Sequence, residues 1–247
     1  MARSVSKKTR GALQNQVALI TGATRGIGLA IARALAAEGC NLILTGRDEQ
    51  ALRRVSRELA SARIRIVAQP SDVRDAQSVQ DLFLVIRDKF KRLDILINNA
   101  GIAHANFTVD KLQLSLWKDV IDTNLTGMFL VTQASIPLMK RGGTIVNNLS
   151  IVANRVFAGS AAYLASKHGA LGLTNTLREE LRPKGIRVIA LMPGATDTAI
   201  WNTFWPQAPR KKMMSPATIA QSLVNAILLP VNTTVETLEI LPTAGLL

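Results

Sequence analysis

The chain has 247 residues, 48% of them hydrophobic, which suffices for one large α/β domain or two small ones with a substantial core. A single cysteine, Cys40, rules out an internal disulfide framework, and with only His104 and His168 beside it no metal site is expected. The net charge is +13, but the basic residues are scattered and aromatics make up 4%, so a solvated basic surface is favoured over nucleic-acid binding.

The first ten residues carry Arg3, Lys7, Lys8 and Arg10 and no acid. They lack the apolar centre of a secretory signal, and residues 1–13 are read as a basic flexible tail. No apolar run reaches the roughly 18 residues of a membrane helix. No membrane association is expected, and the lone thiol suggests a reducing, cytoplasmic compartment.

The apolar run Val17-Ala18-Leu19-Ile20 leads into Thr21-Gly22-Ala23-Thr24-Arg25-Gly26-Ile27-Gly28, and an apolar-periodic run follows. That order reads as strand, tight glycine turn and helix, a place where free N–H groups and the positive helix end meet an anion. The spacing is G-x-x-x-G-x-G rather than G-x-G-x-x-G, so a turn with no ligand stays open on this stretch alone.

Further strand-like runs fall at Leu42–Leu44, Ile64–Val67, Ile95–Ile97, Thr144–Val146, Ile186–Leu191 and Leu238–Leu241. Between them lie helix-like segments near 26–38, 49–60, 76–90, 112–139, 161–182 and 216–229. This alternation, with apolar strands throughout, predicts a single-domain, doubly wound, parallel seven-stranded sheet with helices on both faces, over residues 14–247. Ligands in such sheets bind beyond the carboxyl ends of the strands.

The second strand runs out into Arg47, whose fork suits a phosphate, and Arg25 adds a second cation. Together they favour NADP over NAD. Asp48 is the competing feature, either an acid for the ribose hydroxyls or the N-cap of the next helix. Ser71-Asp72-Val73 follows the third strand, where an adenine edge would lie. Asn98-Asn99-Ala100-Gly101 follows the fourth, where small residues permit close approach of a flat ligand.

Asn147-Asn148-Leu149-Ser150 follows the fifth strand, and Tyr163-Leu164-Ala165-Ser166-Lys167 sits in the next helical run. Tyr163 and Lys167 share a helix face one turn apart, and a nearby ammonium stabilises a phenolate. Tyr163 is the only tyrosine in the chain.

Taken together, Thr21-Gly22-x-x-x-Gly26-Ile27-Gly28, Asn98-Asn99-Ala100-Gly101, Asn124, Ser150, Tyr163-x-x-x-Lys167 and Pro193-Gly194 resemble the short-chain dehydrogenase/reductase family over about residues 14 to 242. The resemblance implies a Rossmann fold and an oxidoreductase that moves a hydride between NADP(H) and a carbonyl or secondary alcohol. Tyr163 would be the general acid or base, and Ser150 would bond the substrate oxygen. Lys167 would hold the ribose and lower the Tyr163 pKa, while Asn124 would position a water. The resemblance places Gly22, Thr24, Arg25, Gly26, Ile27, Gly28, Arg47, Asp72, Val73, Asn99, Ala100, Gly101, Tyr163, Lys167, Pro193, Gly194 and Thr198 against the cofactor. It also implies a substrate lid at about 195–216 and a homodimer or homotetramer built on the long helices 112–139 and 161–182. Within the lid, Trp201, Phe204 and Trp205 line a pocket or pack in a subunit contact. Arg210-Lys211-Lys212 meets an anionic substrate or an acidic carrier, or forms a solvated loop. Residues 151–155 and His104 are candidate pocket borders. The other reading of the same fold is a dinucleotide-binding regulator without turnover.

Overall fold

In the computed structural model, residues 11–60 and 63–245 are described; the first ten residues of the expected tail lie outside them. Seven strands form one parallel sheet in the order β3-β2-β1-β4-β5-β6-β7. They are β1 (Val17–Thr21), β2 (Asn41–Gly46), β3 (Ile66–Pro70), β4 (Leu93–Asn98), β5 (Met139–Asn148), β6 (Arg187–Pro193) and β7 (Thr237–Ile240). The helices are α1 (Gly26–Ala37), α2 (Glu49–Leu59), α3 (Ala76–Lys89), α4 (Leu114–Ile121), α5 (Gly127–Ser135), α6 (Ala161–Leu181), α7 (Trp201–Phe204) and α8 (Pro216–Ile227).

Alternation along each strand divides the core. Ala18 and Ile20 of β1 face the layer holding Ile31 and Leu35 of α1, Leu52 of α2 and Leu223 of α8. Val17 and Leu19 face the other layer, with Phe83 and Ile86 of α3, Val131 of α5 and Leu177 of α6. The order reverses at β1, which pairs with β2 on one side and β4 on the other. A crevice therefore opens beyond the ends of β1 and β4.

Two expectations change. Leu13, assigned to the tail, is buried and its N–H donates to Glu38 O at 3.0 Å, so the packed chain begins before residue 14. The single helix expected over 112–139 is three pieces. A π turn at Asp122–Thr126 separates α4 from α5, and Pro137 lies in the short 3-10 turn Ile136–Leu138 that ends the run before β5. The π turn forms because tertiary contacts outweigh helical periodicity. Asn124 grips the backbone of Ile102 with both ends of its amide, accepting from its N–H at 2.8 Å and donating to its carbonyl at 2.9 Å. Gly127 packs so closely on Val73 that a Cβ would stand 2.7 Å from Cγ2.

Under the crevice runs a buried polar seam. Asn98 Nδ2 donates to Thr132 Oγ1 at 2.8 Å and to Asn147 Oδ1 at 2.9 Å; Asn147 Nδ2 donates to Thr174 Oγ1 at 2.9 Å. These bonds fix β4 and β5 against α5 and α6. Asn147→Ala is expected to cost about 1–3 kcal/mol, because it strands a buried donor on Asn98 and a buried acceptor on Thr174. A denaturation midpoint unchanged from wild type would contradict this.

Candidate active site

The glycine turn is shaped by contact with Asn99. Gly22 has φ +63°, and a Cβ there would stand 3.0 Å from the Ala100 Cα. A Cβ on Gly28 would overlap the Asn99 amide and the Gly22 carbonyl. Asn99 Nδ2 donates to Thr21 O at 2.9 Å and Gly22 O at 3.0 Å. Gly28 therefore sits behind the crevice wall, where its role is packing. At the start of α1 no side chain caps the helix and no acid occupies the first turn. Its leading N–H groups and positive end face the cleft, and this is an anion-binding arrangement.

The cleft has a volume of about 1180 Å³. Gly22, Thr24, Arg25, Gly26 and Ile27 line it from the turn, and Arg47 from the end of β2. Asp72, Val73, Asn99, Ala100 and Gly101 line it next, then Ser150, Tyr163, Lys167, Pro193, Gly194 and Thr198. Gly28 and Asn124 are the expected residues not on its surface. A dinucleotide fits this shape: a glycine cradle for phosphates at the turn, small residues along the floor, and cations at one end.

That basic end is richer than expected. Arg54 also lines it, seven residues beyond Arg47 and two turns along α2. Among the described residues no carboxylate lies at ion-pair distance from Arg25, Arg47 or Arg54. Arg74, another unexpected lining residue, pairs with Asp72 at 2.7 Å and Asp119 at 3.2 Å. That hydrogen-bonded guanidinium, with a smaller contribution from Arg47, holds the Asp72 carboxyl below its usual range despite partial burial. Asp48 resolves to the N-cap: its Oδ1 accepts from Ala51 N–H at 2.9 Å. Its carboxylate is thus engaged by the start of α2.

At the opposite end Ser150, which follows β5, meets Tyr163 on α6. Ser150 stands close enough to the Tyr163 hydroxyl to favour its ionised form, while Ser150 Oγ donates to Pro193 O at 3.5 Å and accepts from Val152 N–H at 3.3 Å. Lys167 is buried one turn beyond Tyr163, with Nζ 5.6 Å from the ring centroid. Nζ donates to Asn148 O at 2.9 Å. Burial pushes the half-buried Tyr163 phenol up to about 12, against the opposing effect of Ser150. Burial also lowers the Lys167 ammonium to about 8. The expected depression of the Tyr163 pKa by Lys167 is absent from the chain alone, because desolvation outweighs the attraction at this separation.

Asn124 does not reach the cleft. Besides gripping Ile102, its Nδ2 donates to Ser166 Oγ at 3.0 Å, and Ser166 Oγ donates to Tyr163 O at 2.7 Å. It braces the helix turn that carries Tyr163. A Cβ on Gly101 would lie 3.3 Å from Asn124 Oδ1 and 3.8 Å from Lys167 Nζ, so these groups converge on one spot.

Of the candidate pocket borders, Ile151 and Val152 line the cleft, whereas Arg155 pairs outward with Glu239 at 2.8 Å. His104 is buried off the cleft, and since a carbonyl only accepts, its Nδ1 donates to Ala105 O at 2.6 Å. Trp201, Phe204 and Trp205 do line the cleft. Arg210 does not. It turns into its own segment, bonding Asp197 Oδ1 at 2.8 Å, Thr198 O at 2.7 Å and Asn202 Oδ1 at 2.7 Å. Sequence spacing gave no sign of Asn148, whose Nδ2 donates to Asn99 Oδ1 at 2.9 Å.

The family model for short chain dehydrogenase matches residues 16–209. A 3beta-hydroxysteroid dehydrogenase of Mediterraneibacter gnavus is 38% identical over 191 residues, 77% of this chain and 69% of that protein. An alcohol dehydrogenase from the archaeon Thermococcus sibiricus, complexed with 5-hydroxy-NADP, superposes with TM-score 0.86 at 31% identity, covering 92% of this chain and 97% of its own. A 3-ketoacyl-(acyl-carrier-protein) reductase of Brucella melitensis, complexed with NADH, gives TM-score 0.85 at 29% identity over 94% and 98%. With the match spanning most of the sheet and both ends of the cleft, the chain belongs to the short-chain dehydrogenase family.

Proposed function

We propose that this oxidoreductase interconverts a carbonyl compound and a secondary alcohol with NADP(H). One observation carries the reading: the Tyr163 hydroxyl beside Ser150, with Lys167 one turn away, lies in the same cleft as an uncapped helix N-terminus and three free arginines. When bound, the nicotinamide supplies the hydride to the carbonyl carbon or accepts it from the alcohol. Ser150 donates a hydrogen bond to the substrate oxygen. Tyr163 passes its proton to that oxygen as negative charge develops there, completing the alcohol. With its pKa high, Tyr163 is protonated across the neutral range and ready for reduction. Lys167, held by the Asn148 carbonyl, presents a cation beside the phenol as its proton leaves. Asn124 keeps the α6 turn in place through Ser166. Arg25, Arg47 and Arg54 suit the extra phosphate of NADP, while Asp48, which also lines the cleft, spends one carboxylate oxygen on the α2 N-cap. A cytoplasmic location accords with the single, buried thiol, Cys40.

Tyr163→Phe is expected to lower turnover by about 10²–10⁴-fold while NADPH still binds. Activity that survives the change would refute the assigned proton donor; NADPH binding with no turnover in the wild type would favour a regulator. Fluorescence titration is expected to show tight NADPH and weak NADH binding. Arg25→Ala with Arg47→Ala is expected to weaken NADPH by at least about tenfold, the size of one lost charge-assisted bond, and leave NADH unchanged.

A pH profile tests Lys167. Its folded pKa lies below the ordinary lysine value, so the ammonium is present below about 8 and lost above it, whereas Tyr163 stays protonated to about 12. The kcat/KM for NADPH, which reports the unloaded enzyme, is therefore expected to be flat below about pH 8 and to fall above it. A flat profile to pH 10 would remove Lys167 from the step.

The protein is proposed to act as a homodimer or homotetramer through α4 and α6. Leu114 and Trp117 on α4 are exposed apolar residues, and α6 has open space at Gly172. Sedimentation velocity is expected to give a multimer, and Leu114→Glu with Trp117→Glu a folded monomer. A monomeric wild type would end the proposal.

A further inference from the structure

We infer that the substrate end of the cleft accepts an uncharged molecule built on a flat, apolar ring system, and that α7 supplies the surface that recognises the ring. The inference rests on Ser150 and Tyr163 being the reaction centre. Charge is distributed unevenly along the cleft. Among the described residues, the charged lining groups other than Lys167 stand on the glycine turn, on the β2–α2 segment and after β3. Around Tyr163 the walls are uncharged apart from Lys167, with Ile151, Val152 and Phe157 giving apolar surface on one side and Trp201 and Phe204 of α7 on the other, beside the polar Asn202 and Thr203.

The aromatic rings of α7 are stepped outward from the phenol. The Phe204 centroid lies 6.0 Å from that of Tyr163, with the rings tilted by 49°. Trp201 meets Phe204 edge-on, at 5.7 Å and 74°, and Trp205 follows at 6.4 Å from Trp201. These spacings fall in the range in which aromatic rings attract one another, and a ring entering the cleft would join the same series. Trp201 Nε1 donates to Thr196 O at 2.9 Å, so its polar atom is satisfied and its faces are left for contact. Trp205 lines the cleft yet is 40% exposed, a large apolar surface at the mouth.

The alternatives fit less well. An anionic substrate needs a cation near Tyr163 besides Lys167. Arg210 is already bound to Asp197 and Asn202, and Lys211 and Lys212 stand in solvent away from the cleft. A flexible neutral chain would be compatible with the walls. It would lose rotamer freedom on entry and make no ring contacts in return.

Two neutral ketones of equal carbon number, 2-tetralone and 2-decanone, separate ring from chain. Calorimetric titration into the wild-type protein loaded with NADP⁺ reads binding without turnover. With NADPH, the same pair reads kcat/KM. 2-Tetralone is expected to bind and react at least about tenfold better, the scale of one or two aromatic contacts. Phe204→Ala and Phe204→Leu should both narrow that gap to about threefold or less, the leucine variant retaining apolar bulk so that loss of fold and loss of the ring are told apart. Equal or tighter binding of 2-decanone, or a gap that persists in both variants, would overturn the inference. Faster reduction of 2-decanone would overturn it while leaving the oxidoreductase reading intact. Preferential binding of 2-tetralone, with neither ketone reduced, would support the ring site and overturn the reading of Tyr163 instead.

Discussion

A line of side-chain amides joins the two ends of the cleft. Asn99 holds the glycine turn through the Thr21 and Gly22 carbonyls, and Asn148 holds Asn99. The Asn148 carbonyl in turn receives the Lys167 ammonium. Thr21 Oγ1 adds a second tie, accepting from the N–H groups of Asn99 and Ala100 at 2.9 Å each. Each member lies at or just beyond the carboxyl end of a strand, or on α6 behind it. The glycine turn and the Tyr163–Lys167 turn of α6 are therefore tied to one another. A few hydrogen bonds in a partly dry crevice set the spacing between the two ends of the cleft, which a flexible connection would not hold.

The same dryness puts opposite pressures on Tyr163 and Lys167. Desolvation penalises whichever form is charged, so it raises the phenol and lowers the ammonium. In the protein alone this keeps the phenol neutral and makes the ammonium expensive. Any anionic group brought into the cleft reverses the second effect, since negative charge favours the protonated lysine. The chain is thus poised so that filling the cleft restores a cation beside the phenol. The Ser150 hydroxyl works in the same direction by stabilising negative charge on the tyrosine oxygen.

The layers of the fold were legible because apolar strands alternate with amphipathic helices, a pattern that survives without any tertiary information. The ligand-facing residues were legible for a related reason. Glycines, Arg47, Ser150 and the Tyr163–Lys167 pair lie at strand ends or on one helix face, positions that chain order alone identifies. What stayed hidden depended on long-range contacts. The break in the long helix over 112–139 arises where Asn124 reaches across to Ile102, some twenty residues earlier. Asn148 has the look of an ordinary strand-end residue until Asn99 and Lys167 are seen on either side of it. Arg54 needed the helical register of α2 as well as its composition. Of the basic triplet, Lys211 and Lys212 stand in solvent as a charged loop suggests, whereas Arg210 is consumed inside its own segment by contacts that composition does not show.

That use of Arg210 explains how a single turn of helix comes to stand beside Tyr163. Four residues cannot hold a helix by themselves, since nucleation costs more than one turn returns. Here α7 is fixed from outside. The chain is pinned at its base where Asp197 N–H donates to Met214 O at 2.9 Å and Met214 N–H to Ala195 O at 3.0 Å. Arg210 then ties Asp197 and Thr198 to Asn202, and the Trp201 indole closes onto Thr196. Because these bonds lie within the segment, they hold its internal shape without help from the sheet. Its inner face presents Phe204 to Tyr163, and its root carries Thr198, beside the glycine turn. The aromatic wall of the cleft is thereby carried by a braced module outside the sheet. Ser150, Tyr163 and Lys167 stand at a strand end and on α6, so that wall can change without disturbing them.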